Sequence, residues 1–150
     1  MLNKTKINTK GFTLIELLVV VAILGILSTL GVVSYNGYVS ATKKTSTENA
    51  MQQISLAQTE EYSNTGSYYE NEGCDSPSVE TSNQIEGNLL GGANVLTTVN
   101  SEDKRVTVSN YYVCIEVTAS GYEIIAVEDE DDEPCTITLN NNSVWTRENC

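Results

Sequence analysis

The sequence predicts an α+β fold: one long N-terminal helix whose second half packs on a small antiparallel sheet of about four strands. Three observations carry this prediction. Residues 12 to about 33 are almost continuously apolar, no proline interrupts residues 12–64, and beyond Lys104 the texture changes to short runs rich in valine, isoleucine and tyrosine.

The helix is justified first. Its opening half, from Phe12 to Val33, is apolar all round, as a helix in lipid or in a helix bundle would be. Its second half turns amphipathic. Tyr35, Tyr38 and Val39, then Ala50, Met51, Ile54 and Ala57, recur at helical spacing and are expected to face the sheet, with Lys43, Lys44, Glu48 and Glu60 outward. Asn64-Thr65-Gly66 supplies a helix stop.

Residues 65–103 are rich in Asn, Ser, Gly and Glu and read as a connection, with one short helix near Gln84–Leu90. Arg105–Ser109, Tyr111–Thr118 and Tyr122–Glu128 follow as strands, the last two joined at Ala119-Ser120-Gly121. Thr136–Leu139 and Ser143–Thr146 flank Asn140-Asn141-Asn142 as two more short strands.

The charge balance narrows the function. The chain carries a net charge of −12, and three of its eight basic residues are Lys4, Lys6 and Lys10. Without residues 1–11, five basic and twenty acidic side chains remain, a net charge of −15. Such a surface repels phosphate backbones, so nucleic-acid binding by the bulk surface is not expected; Lys104-Arg105 forms a local basic spot. With no histidine and no nucleophile motif such as Gly-x-Ser-x-Gly, an enzyme is not expected either.

Charge order at the N-terminus is more specific. A run of some twenty apolar residues is long enough to cross a bilayer as a helix, and the three preceding lysines should stay on the cytoplasmic side. Glu16 interrupts the run, and a carboxylate at bilayer depth costs on the order of 2.5 to 3.5 kcal/mol. Its natural partner is a positive charge. Cleaving the Gly11–Phe12 bond would create one, an α-amino group a helical turn before Glu16.

Lys10-Gly11-Phe12-Thr13-Leu14-Ile15-Glu16-Leu17 closely resembles the processing and assembly motif of type IV pilins and of the pseudopilins of type II secretion. The resemblance implies that a membrane peptidase cuts after Gly11, that Phe12 becomes the N-methylated first residue, and that Glu16 pairs with a neighbouring subunit's N-terminus. It implies a type IV pilin fold with a cleaved leader (1–11), a stem helix (12–64, of which 12–33 is the transmembrane and filament-core part), a variable connection (65–103) and a sheet region (104–150). An ordinary secretory signal would close with a small-residue cleavage site, and no Ala-x-Ala pattern ends this run.

Four cysteines allow three pairings, and a domain outside the cytoplasm sits in an oxidising compartment. The resemblance pairs Cys135 with Cys150 as the disulfide-bounded loop near the end of many type IV pilins, which leaves Cys74 for Cys114. With no histidine and no Cys-x-x-Cys, neither zinc nor a redox pair is expected. The acidic run Glu128–Glu133 makes Asp129, Asp131 and Asp132 weak calcium candidates, but it lacks EF-hand spacing and a glycine, so a solvated loop and no cofactor are expected.

The reading that follows is a structural subunit of a type IV pilus. Its partners would be inner-membrane lipid before assembly, the prepilin peptidase and assembly machinery, and other copies of itself in a helical filament. It would sit in the inner membrane with its C-terminal part periplasmic, then become extracellular. Two alternatives stand beside it: a pseudopilin of type II secretion, and a membrane-anchored binding module that does not polymerise.

Overall fold

Thr13, not Phe12, is where the first helix takes hold. The computed structural model describes residues 11–129 and 132–150, apart from the side chains at 30–34 and 36. In it α1 runs Leu14–Thr65, 52 residues without a proline. The chain divides into two units, one ending at Ser40 and one covering Ala41–Cys150, and α1 contributes to both. It stops where Gly66 takes a φ of +80° and donates its N–H to the Tyr62 carbonyl at 2.9 Å. Left-handed backbone of this kind is what glycine supplies after a helix.

In the second unit the order is α2 (Val79–Asn88), β1 (Thr97–Val99), β2 (Arg105–Thr107), β3 (Tyr111–Thr118), β4 (Gly121–Glu128), β5 (Thr136–Asn140) and β6 (Trp145–Glu148). The last four form one antiparallel sheet in the order β3-β4-β5-β6, each strand beside its sequence neighbour. The strand expected at Arg105–Ser109 does not join it. It pairs instead with β1, Thr98 opposite Val106, as a separate two-stranded ribbon. The short helix also begins earlier than expected, at Val79, because extended Ser78 caps it with its N–H bonded to Thr81 Oγ1 at 3.0 Å.

Alternation along the strands sorts the core. Tyr111, Val113 and Ile115 on β3, Tyr122, Ile124 and Ala126 on β4, and Ile137 and Leu139 on β5 are buried, and they cluster with Ala50, Met51 and Ile54 of α1. Full burial of an Ile or Met side chain stabilises by about 1.5 to 3 kcal/mol, so this shared face is the main reason the unit holds together. Tyr35 and Tyr38, expected to face the sheet, are 67% and 71% exposed. They belong to the first unit, whereas every strand belongs to the second.

Polar residues complete the same helix face. Gln58 is fully buried, accepting from the Tyr69 N–H at 2.9 Å and donating to the Tyr69 carbonyl at 2.7 Å, so it closes the turn after α1. Thr47 bonds Ser109 at 2.8 Å. Glu86 of α2, 2% exposed, accepts from the N–H groups of Leu96 and Thr97 and from the Thr97 hydroxyl, with Arg105 Nη1 at 3.9 Å. A buried carboxylate needs such partners, and these tie β1 to α2.

The outer edge of β3 is closed not by a fifth strand but by side chains and by the Asn71 backbone, whose N–H donates to the Ile115 carbonyl at 3.0 Å. Ser82 Oγ accepts from Val113 N at 2.8 Å, Asn71 Oδ1 from Ile115 N at 3.2 Å, and Thr81 Oγ1 donates to the Val113 carbonyl at 2.9 Å. Free edges invite unwanted pairing, and these bonds remove the invitation.

Between β3 and β4 the turn is Ala119-Ser120, with Thr118 paired to Gly121. Gly121 has a φ of +142°, and a Cβ there would land on the Asn141 side chain. Gly121→Ala should therefore lower stability by about 1 to 3 kcal/mol, read as a lower urea midpoint. An unchanged midpoint would contradict the close approach.

Candidate processing and assembly site

Three residues build the start of α1. The Thr13 N–H and the Thr13 hydroxyl both donate to Glu16 Oε2, at 2.8 and 2.6 Å, and the Glu16 N–H donates back to Thr13 Oγ1 at 3.3 Å. This is a capping box, with Thr13 at the N-cap and Glu16 three residues on, satisfying backbone donors that the first turn leaves without partners. The sequence reading gives Glu16 an α-amino group as its partner; within the chain the structure adds Thr13. The Thr-x-x-Glu spacing was the signal that could have shown this.

Both side-chain bonds fall on one carboxylate oxygen, Oε2. An ionised carboxylate accepts through two oxygens, and among the described residues no hydrogen bond falls on Oε1. Phe12, just before the box, is 91% exposed. At Gly11 an added Cβ would meet nothing within 4 Å among the described residues.

From Leu14 to Leu18 the large apolar side chains are 56% to 81% exposed, and from Val19 to Leu27 they are 49% to 64% exposed. Among the described residues, no helix is long and apolar enough to cross a membrane. The apolar stretch with described side chains, Leu14–Thr29, has 16 residues, about 24 Å at ~1.5 Å per residue. A span takes about 20 residues. The expected transmembrane segment thus does not lie whole within the described residues, because the side chains at 30–33 fall outside them.

The prokaryotic N-terminal methylation motif matches residues 6–32, covering Gly11, Phe12, the capping box and the apolar start of α1. The chain carries the type IV pilin and pseudopilin signature. The signature points to a structural protein, and implies a membrane-anchored pilin precursor that is processed by prepilin peptidase and enters pilus assembly. No curated protein and no solved structure matches the chain.

The remaining residues singled out in the sequence lie in the second unit. The structure joins Cys74 to Cys114, with Cα atoms 5.6 Å apart, and Cys135 to Cys150, with Cα atoms 4.6 Å apart. Both separations suit a disulfide. The first ties the connection after α1 to β3, and the second holds the strand start at β5 to the residues after β6.

Of the acidic run, Asp131 lies outside the described residues and Asp132 is exposed. Asp129 is engaged with Tyr112: burial first, then the hydrogen bond to Asp129 and that carboxylate's charge, push the Tyr112 hydroxyl up to about 12. Among the described residues, no group of three or more Asp, Glu, His or Cys is placed to hold a metal ion.

A loop of about 15 residues closed by a disulfide is worth roughly 3 kcal/mol in the chain-entropy account. Replacing Cys135 and Cys150 together by serine should lower the unfolding free energy by about that amount, measured by urea titration. Peptide mapping without reductant should recover Cys74 linked to Cys114 and Cys135 linked to Cys150; a fragment joining Cys74 to Cys135 would contradict the structure.

Proposed function

We propose that this chain is the structural subunit of a type IV pilus, cut between Gly11 and Phe12, N-methylated at Phe12, and polymerised through α1. The observation that carries the proposal is an exposed, all-apolar helix start whose single carboxylate keeps one oxygen available beside the cleavage position. In water that apolar surface is unfavourable. In the bilayer, lipid covers it; in a filament, stems of other copies do, by close packing.

The capping box makes the charge pairing compatible with the helix. Thr13 holds Glu16 through Oε2, fixing the carboxylate at the first turn, while Oε1 receives the α-ammonium of a neighbouring Phe12. Each charge then has a partner in a low-dielectric core, where an isolated one would be costly. Since Thr13 needs only a hydrogen-bond acceptor and the ammonium needs an anion, the two roles of Glu16 separate chemically.

The pseudopilin reading shares this site. The Cys135–Cys150 disulfide supports the pilus instead, because a closed loop of that kind resembles type IV pilins rather than major pseudopilins. Glu16 also speaks against a non-polymerising binding module, which has no use for an anion in its stem. Long sheared fibres, seen by electron microscopy and built mainly of a subunit that starts at methylated Phe12, are the expected outcome; short periplasmic assemblies would favour the pseudopilin.

Three substitutions test the mechanism. Gly11→Leu should leave an uncleaved precursor, recognised by intact mass as a chain that retains residues before Phe12. Glu16→Val should insert and be cleaved yet yield few fibres, and Glu16→Gln, which keeps the Thr13 bonds, should fail in the same way. Normal fibres from Glu16→Gln would leave Glu16 as a helix cap and remove the charge pair.

A further inference from the structure

Hydroxyl groups on α1 before Ser40 are of two kinds. Ser28 and Thr29, inside the apolar stretch, turn theirs back on the helix: Ser28 Oγ donates to the Leu24 carbonyl at 2.7 Å and Thr29 Oγ1 to the Ile26 carbonyl at 2.8 Å. Neither then needs water, so both suit a hydrocarbon surrounding. Tyr35 and Tyr38 differ. They are 67% and 71% exposed, and three positions apart they share one side of the helix. Each carries its hydroxyl at the end of a rigid ring, beyond reach of the carbonyls of its own turn, and neither belongs to the core of the second unit.

Distance along the helix decides where these rings come to lie. In sequence the apolar run extends from Phe12 through Val33, and Lys10 stands just before it. With Leu14 at the cytoplasmic face of the hydrocarbon, Tyr35 and Tyr38 follow 21 and 24 positions later, about 32 and 36 Å away at ~1.5 Å per residue. The hydrocarbon core is about 30 Å thick, and the polar layer beyond it adds about 5 to 7 Å on each side. A tilt of about 20° brings the two positions to roughly 30 and 34 Å, still at that layer. There a tyrosine satisfies both of its ends, the ring against acyl chains and the hydroxyl among headgroups and water, which neither the bilayer centre nor bulk water allows.

We infer that Tyr35 and Tyr38 form an interfacial anchor that seats the far end of the apolar segment in the headgroup layer of a phospholipid bilayer and fixes the depth of the helix before assembly. The inference rests on the membrane-anchored precursor of the proposed function, and it holds for a pilus and a pseudopilus subunit alike. Lys4, Lys6 and Lys10 mark one face of the bilayer, and the two rings mark the other. Once residues 1–11 are removed, as the proposed processing requires, those lysines are lost. The rings then remain as the polar marker that stays with the stem.

The test places the full-length chain in mixed phosphatidylcholine and phosphatidylglycerol vesicles whose lipids carry bromine, a contact quencher of tryptophan, either near the headgroup or near the acyl chain end. Emission of Trp145, the one native tryptophan, is subtracted with the unsubstituted chain. Leu24→Trp, at mid-segment, should be quenched about twofold more by the deep bromines, and Tyr35→Trp about twofold more by the shallow ones. Replacing Tyr35 and Tyr38 together by serine in the Leu24→Trp chain should lessen its deep preference, because the stem loses its fixed depth. Quenching at position 35 that is absent, or stronger from the deep bromines, overturns the inference, as does a Leu24→Trp profile left unchanged by the two serines. Membrane anchoring survives each of these results as long as Leu24→Trp is quenched by the deep bromines. A chain that fails to float with the vesicles overturns both.

Discussion

Apolar surface on one continuous helix has to be covered in two different ways, and the organisation of this protein follows from that constraint. At Ala50, Met51 and Ile54 the chain covers the surface itself, with β3, β4 and β5. From Leu14 to Leu27 the described residues offer no such cover, and the large apolar side chains stand 49% to 81% exposed. Sequence dictates the split. Helical spacing of apolar residues needs only one apolar face opposite, which a four-stranded sheet supplies, whereas an all-round apolar segment needs neighbours on every side. The helix is thus a folding element over one part of its length and an exposed apolar surface over another.

Much of this was legible because hydrophobic period and turn chemistry act locally. The long helix, its end before Gly66, the β3–β4 hairpin and the alternating core strands follow from residues near one another in sequence. Polar burial was not legible. Nothing around Gln58 announces that it will bond both backbone groups of Tyr69, nor does Glu86 reveal that Leu96 and Thr97 will present their N–H groups to it. These depend on which backbone arrives opposite. The β1–β2 ribbon was missed because three residues, Thr97–Val99, are too few for a period to register.

At the candidate site the balance was different. Glu16 stands out by its charge, whereas its bonds to Thr13 follow from what the first helical turn needs, which the cost of a carboxylate in lipid does not reveal. Tyr35 and Tyr38 continued a helical period past the point where the sheet-bearing unit begins, and a period cannot say where its partner surface ends. Spacing alone leaves the four cysteines three pairings; the pairing implied by the pilin resemblance is the one the structure forms, with β3 beside the connection and β5 beside the last residues.

The closed edge of β3 has a consequence for crowding. Wherever many copies are held in an array, each sheet meets its neighbours at a local concentration far above any reached in solution, and exposed ladder groups would then zip into amyloid-like stacks. Asn71, Thr81 and Ser82 occupy those groups on one margin. On the other, β6 is four residues long and bears Arg147 and Glu148. A dense lattice of these molecules can therefore stay an ordered assembly of folded subunits instead of collapsing into a continuous fibril of merged sheets.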